Sequence, residues 1–112
     1  MIIMHLDDEF FNLVKSGKKV FEVRINDEKR RNIMVGNTIL FKKRSNSLDG
    51  VVVKVVDRKQ FNTFQEMVRL LDFGDLGMEN KSVEEVLNLY YSIYDEELEN
   101  KYGVVAFKIE ML

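Results

Sequence analysis

Cysteine, proline and tryptophan are all missing from this chain, and histidine occurs only at position 5. Without cysteine there is no disulfide, no iron–sulfur cluster, no thiolate zinc site and no thiol nucleophile. One imidazole excludes any site that needs two. His5, alone on an apolar segment, reads as a packing residue rather than a ligand, so neither a metal nor a cofactor is expected. No apolar run approaches the ~20 residues of a membrane span, and no charged leader precedes an apolar core at the N-terminus. The expectation is a cytoplasmic protein that does not engage a membrane. Nothing marks a linker: there is no proline, no long Ser/Gly stretch and no internal repeat. The 112 residues, 46% hydrophobic and 32% charged, suit a single domain spanning 1–112.

A formal net charge of −2 hides a strong asymmetry. Residues 15–60 carry thirteen Lys/Arg against five Asp/Glu, whereas residues 61–112 carry four against eleven. A folded surface with one positive face attracts polyanions even when the molecule as a whole is slightly acidic. The competing reading is that the two halves neutralise each other and simply solvate the surface. The acidic C-terminal half could equally serve as a docking surface for another protein.

Hydrophobic periodicity supplies the elements. Met1–Leu6 is apolar enough for a first strand. Asp7 and Asp8 then start a helix with Phe10, Leu13 and Val14 at helical spacing, and Gly17 sits where a glycine would end it. Lys19–Ile25 alternates, with Phe21, Val23 and Ile25 on one face and Val20, Glu22 and Arg24 on the other. Asn26–Asn32 is a polar turn or one helical turn. Thr38–Lys43 and Val51–Val56 read as a hairpin whose polar tip is Ser45–Gly50. Thr63 with Glu66, and Ser82 with Glu85, form capping boxes ahead of two amphipathic helices. Asp95–Tyr102 is a short helix ended by Gly103, and Val104–Leu112 is a closing strand. Hairpin spacing without regular βα alternation argues for α+β: a strongly bent antiparallel sheet or barrel with helices packed at one end.

Few residues invite chemistry. Gly74 and Gly77 lack the Lys-Ser/Thr of a phosphate loop. Lys29-Arg30-Arg31 and Lys42-Lys43-Arg44 suit phosphate contacts, or a solvated loop and hairpin end. Tyr90 and Tyr94 fall on a helical stripe, which makes them core residues with hydroxyls at its rim. Tyr91 lies off the stripe and is the candidate for stacking on a base, with Phe73 as a second. The densest signal is Gly17-Lys18-Lys19-Val20-Phe21-Glu22-Val23-Arg24. Charged groups inside a run otherwise destined for the core are costly unless they are paired or functional. Either an ion-pair ladder on an edge strand or a charged cleft satisfies them, and the cleft is favoured because such residues cluster at sites. In a regular strand Lys19 would point away from Glu22 and Arg24. Their convergence requires the chain to bend at residues 17–19.

Gly17, Lys19, Glu22 and Arg24 fit the G-x-K-x-x-E-x-R signature, and in this the chain resembles ASCH domain proteins of the PUA-like superfamily. Asn26–Arg31, Val35–Ile39 and the closing Tyr102-Gly103-Val104-Val105-Ala106 also look like small bacterial members, so the resemblance covers essentially the whole chain. It implies a PUA-like bent antiparallel β-barrel of about five strands, helices at its end and side, and a cleft near the signature. The superfamily is much used for RNA binding. Some small members are acetylcytidine amidohydrolases with a Lys, a Thr nucleophile and a Glu; others are described as ribonucleases. Lys19 matches the signature lysine, and Glu79-Asn80 before Ser82 looks like the family's Glu-Asn. The Thr position is occupied by Glu22.

The leading expectation is therefore an RNA- or nucleotide-binding module. Gly17, Lys19, Glu22, Arg24, Arg30, Arg31 and Tyr91 would contact the ligand, and residues 29–44 would supply salt-sensitive affinity. The alternative is a small hydrolase acting on a modified nucleoside or on RNA through Lys19, Glu22 and Glu79, with water activated directly by a carboxylate. Oligomeric state is left open.

Overall fold

The computed structural model describes residues 1–112. Ten elements follow one another: β1 (Ile2–Leu6), α1 (Asp8–Lys15), β2 (Phe21–Ile25), α2 (Glu28–Arg31), β3 (Thr38–Lys43), β4 (Asn46–Phe61), α3 (Phe64–Leu70), α4 (Val83–Ile93), α5 (Glu96–Tyr102) and β5 (Val104–Met111). The strands form one sheet in the order β1-β3-β4-β5-β2. The fold is α+β, a curled half-barrel with helices against it, as the sequence implies. One pairing differs from the antiparallel expectation. β1 runs parallel to β3, from Ile2 opposite Ile39 to Leu6 opposite Lys43, because α1, β2 and α2 intervene and carry the chain back to the starting end. The curl also stops short of closure, leaving β1 and β2 as its two edges.

The hairpin is longer than its apolar residues suggest. Its turn is Arg44–Ser45, and β4 begins at Asn46. A bulge absorbs the residues expected at the tip: Lys42 faces Gly50 but Lys43 already faces Asn46. At its other end Asp57–Phe61 pairs with Lys108–Val104, so polar residues join the ladder by register rather than by propensity. Ser82 and Glu85 complete a capping box. The Thr63 box is half formed: Thr63 accepts from the Glu66 N–H, but the Glu66 carboxylate accepts from the Asn62 N–H, 3.4 Å away.

β5 separates two apolar layers. Val105, Phe107 and Ile109 pack inside the curl with Phe11, Val14, Ile39 and Phe41. Val104 and Ala106 face outward with Phe21, Val23 and Ile25, under Phe64, Met67 and Val86 of the helices. Both faces of β5 are thus covered. Glu22 lies opposite Phe107 and Arg24 opposite Val105. Directly paired residues share a face, so both charged side chains enter from the inner side of the curl. No helix is long and apolar enough to cross a membrane.

Candidate functional site

After α1 the chain makes the bend that convergence requires. The N–H groups of Lys18 and Lys19 both donate to Leu13 O at 3.0 Å, which keeps Lys19 out of the strand. Val20 and Phe21 then donate to Asp75 O at 2.9 and 3.0 Å, pinning the start of β2 against the 72–78 loop. Gly77 of that loop, at φ +80°, leaves room for the lysine stem; a Cβ there would stand 3.1 Å from Lys19 Cδ.

The Lys19 ammonium donates to Phe21 O and to Leu76 O (3.1 Å) and lies 3.3 Å from Glu22 Oε1. Its three N–H groups thus meet three acceptors. The other Glu22 oxygen accepts from Arg24 Nε at 2.6 Å. Arg24 Nη2 continues to His5 O at 3.2 Å, bridging the two open edges of the sheet. Lys19 and Glu22 are only 4% and 5% exposed. Burial pulls the Lys19 ammonium below the ordinary lysine range, more than Glu22 supports it. Burial works the other way on Glu22, but Lys19 and Arg24 outweigh it and hold the carboxyl below its ordinary value. Arg24 is pushed up: Glu22 and Tyr94 overcome its own desolvation.

Above this charged floor lies a cleft of about 110 Å³. His5, Leu6, Asp7 and Phe10 form one wall; Met78, Leu89, Tyr90, Ile93 and Tyr94 form the other. Arg44 holds Asp7 at 2.6 Å beside it. Burial raises both phenols, with Glu22 adding to the effect on each. Neither hydroxyl has a protein hydrogen-bond partner and neither is sealed from solvent, so both open on the cleft with the unpaired Nη1 of Arg24.

The ASCH domain family model matches residues 4–112. The chain belongs to the ASCH domain family. Its curled five-stranded sheet with helices is the PUA-like architecture that the signature implied. The hypothetical protein PH0355 is 39% identical over 98% of this chain and 97% of its own, with a TM-score of 0.86. A protein from Pyrococcus furiosus is 38% identical over 99% and 96%, with a TM-score of 0.76. An ASCH protein from Zymomonas mobilis shares the fold at 16% identity and a TM-score of 0.63, with 96% of this chain covering 66% of that one. Small ASCH domains of this kind therefore extend to archaea and are not confined to bacteria. Among curated proteins no sequence matches.

Of the signature residues, Lys19, Glu22 and Arg24 meet at the cleft, whereas Gly17 follows the end of α1 on a separate hollow with Val14 and Val53. Glu79 is exposed and outside the cleft; its neighbour Met78 lines it instead. Arg30 is held by Asp27 at 3.2 Å, at a distance from which its charge still reaches Tyr94. Arg31 donates to Asn26 O and stands over the Tyr102 ring, away from the cleft. Tyr91 does not face the cleft: its hydroxyl donates to Glu99 at 2.8 Å and its ring packs edge-on against Phe64. Phe73 packs against the outer apolar layer. The aromatic residues at the cleft are Phe10, Tyr90 and Tyr94. The i, i+4 stripe that marks Tyr90 and Tyr94 as core was the signal for them, since a phenol at the end of a stripe keeps a polar tip where the packing stops. His5 is an exposed cleft residue rather than a packing one, and its backbone carbonyl makes the contact to Arg24.

Proposed function

We propose that this ASCH domain binds single-stranded RNA or a nucleotide, with a base in the cleft between Phe10 and the Tyr90/Tyr94 wall. The observation that carries this reading is the division of labour in the signature. Lys19 and Glu22 are consumed by internal contacts, while Arg24 Nη1 and two phenol hydroxyls present unused hydrogen-bonding groups over an apolar wall. Apolar walls with a few convergent polar groups suit a flat heterocycle. Elsewhere on the surface, Lys29, Arg31, Lys42 and Lys43 have no carboxylate within ion-pair distance, so residues 29–44 keep free cations for a phosphate chain. A cytoplasmic location accords with such a ligand.

The hydrolytic alternative draws less support. A carboxylate gripped by two cations and held below its ordinary pKa is a poor general base, and Glu79 stands away from it. Titration of a short single-stranded RNA at increasing salt tests the binding reading. The expected result is an affinity that falls steadily with salt and falls again in Arg24→Lys. No binding at low salt would overturn it.

A further inference from the structure

A second groove, about 610 Å³ and largely polar, runs between the end of β4, the start of α3 and the C-terminal end of α5. Two side chains there are more than nine-tenths buried yet incompletely bonded. Glu99, 4% exposed, accepts on Oε2 from the Phe64 N–H and the Tyr91 O–H, both at 2.8 Å. Its Oε1 has no protein donor and is not sealed from solvent, so it opens on the groove. Asn26, 6% exposed, accepts on Oδ1 from Arg58 Nη2 at 2.8 Å. Its Nδ2 has no protein acceptor and opens on the same groove.

One glycine ties the two together. Asn26 N–H donates to Gly103 O at 2.9 Å, and Gly103 N–H donates to Glu99 O at 2.8 Å. Gly103 sits at φ +75°, and a Cβ there would meet Phe61 O at 2.9 Å, so the link admits no side chain without strain.

An acceptor oxygen and an amide donor are thus held at fixed positions on otherwise buried side chains, with their remaining hydrogen-bonding capacity open to the groove. We propose that the groove takes a second, unstacked nucleobase of a single-stranded RNA, with a donor on the base edge meeting Glu99 Oε1 and an adjacent acceptor meeting Asn26 Nδ2. Nucleobase edges carry donors and acceptors side by side, whereas a simple amine has no acceptor for Asn26. Lys101 lines the groove, and Lys101 and Arg31 both stand over the Tyr102 ring at 5.1 and 5.4 Å, which places cations at the rim for the adjoining phosphates. The inference rests on the RNA-binding reading and extends it from one base to two.

The test is titration of a mixed-sequence single-stranded heptamer RNA against wild type, Glu99→Gln and Arg24→Lys. Glu99→Gln keeps an acceptor for Phe64 and Tyr91 but turns a donor toward the groove. Charge alone predicts tighter RNA binding on losing this carboxylate; base recognition predicts binding weaker by about tenfold, the worth of a hydrogen bond to a charged group. Unchanged or tighter binding overturns the proposal. Should Glu99→Gln fail to fold, amide chemical shifts of the wild type decide. The Asn26 side-chain NH₂ and Phe64 N–H signals move on adding the RNA if the groove is used, and stay fixed if it is not. Weakening by Arg24→Lys alone leaves the cleft reading standing without the groove, and weakening by Glu99→Gln alone does the reverse. No RNA binding by wild type defeats both.

Discussion

Arg24 reaches from β2 to the backbone oxygen of His5 on β1, 3.2 Å away, across the gap where the sheet fails to close. The same guanidinium grips Glu22 through Nε, so a rigid fork joins the buried ion cluster to the seam. Lysine has the charge but not the fork. Arg24→Lys is expected to keep the attraction to Glu22 while losing the His5 bridge and the free cleft donor. Stability should fall by about 1 kcal/mol, measured by urea unfolding, since an ordinary hydrogen bond is worth about that much. RNA affinity should fall by about tenfold. A larger loss in stability than in binding would mark Arg24 as a structural residue only.

Glu22 is the sole carboxylate between two cations and lies almost wholly out of solvent. Glu22→Gln preserves shape and removes the charge that makes burying Lys19 and Arg24 tolerable. Removing one partner of a buried ion cluster costs about 3–5 kcal/mol, because the remaining charge is left uncompensated. Urea unfolding of Glu22→Gln should show a loss in that range. Lys19→Met in the same background should recover part of it, which a double-mutant cycle reads as coupling between the two positions.

Acid should act through the same carboxyl. In the folded chain Glu22 titrates below the ordinary glutamate value of 4.5. Its contribution to stability is therefore complete above 4.5 and is lost as pH falls through the lowered value, where the unfolded chain binds more protons than the folded one. Lys19 lies below its ordinary 10.5, so between its folded value and 10.5 stability rises with pH by the same rule. Asp8, Asp57 and Glu85 are also lowered, but Glu85 is exposed and Asp8 and Asp57 are only half-buried, so water screens the effect. Thermal unfolding between about pH 3 and 7 should show the melting temperature dropping on the acid side, and Glu22→Gln should flatten that drop.

The elements were legible wherever a face is buried and its period is clean. Phe21, Val23 and Ile25 alternate because one side of β2 packs under the helices, and Ser82 with Glu85 announces α4 by its cap. Asp57–Gln60 was not legible, because its place in β4 depends on register with β5, a pairing invisible in local composition. The signature gave the floor of the cleft, since charged residues inside an apolar run had to be paired there. Its walls were harder to find. Tyr90 and Tyr94 satisfy the core stripe and the cleft at once, and local spacing does not show which end of a helix meets an opening. Tyr91 carries no apolar periodicity because its hydroxyl serves Glu99, a contact set by where α5 returns against α4.

Those tyrosines yield the sharpest separation of fold from function. A buried hydroxyl bonded within the protein contributes about 1 kcal/mol, and its removal costs that much or more. The hydroxyls of Tyr90 and Tyr94 have no protein partner, while their rings stack on Phe64 at 4.9 and 5.6 Å. Tyr90→Phe and Tyr94→Phe keep the rings and remove only the groups that face the cleft. Their unfolding free energies from urea titration should match wild type within about 0.5 kcal/mol, as for changes that break no internal contact. RNA affinity should nonetheless fall several-fold in each and further in the double variant, because each loses a hydrogen bond that only the ligand supplies. Full RNA affinity in the double variant would remove both hydroxyls from the binding surface and leave the wall purely apolar.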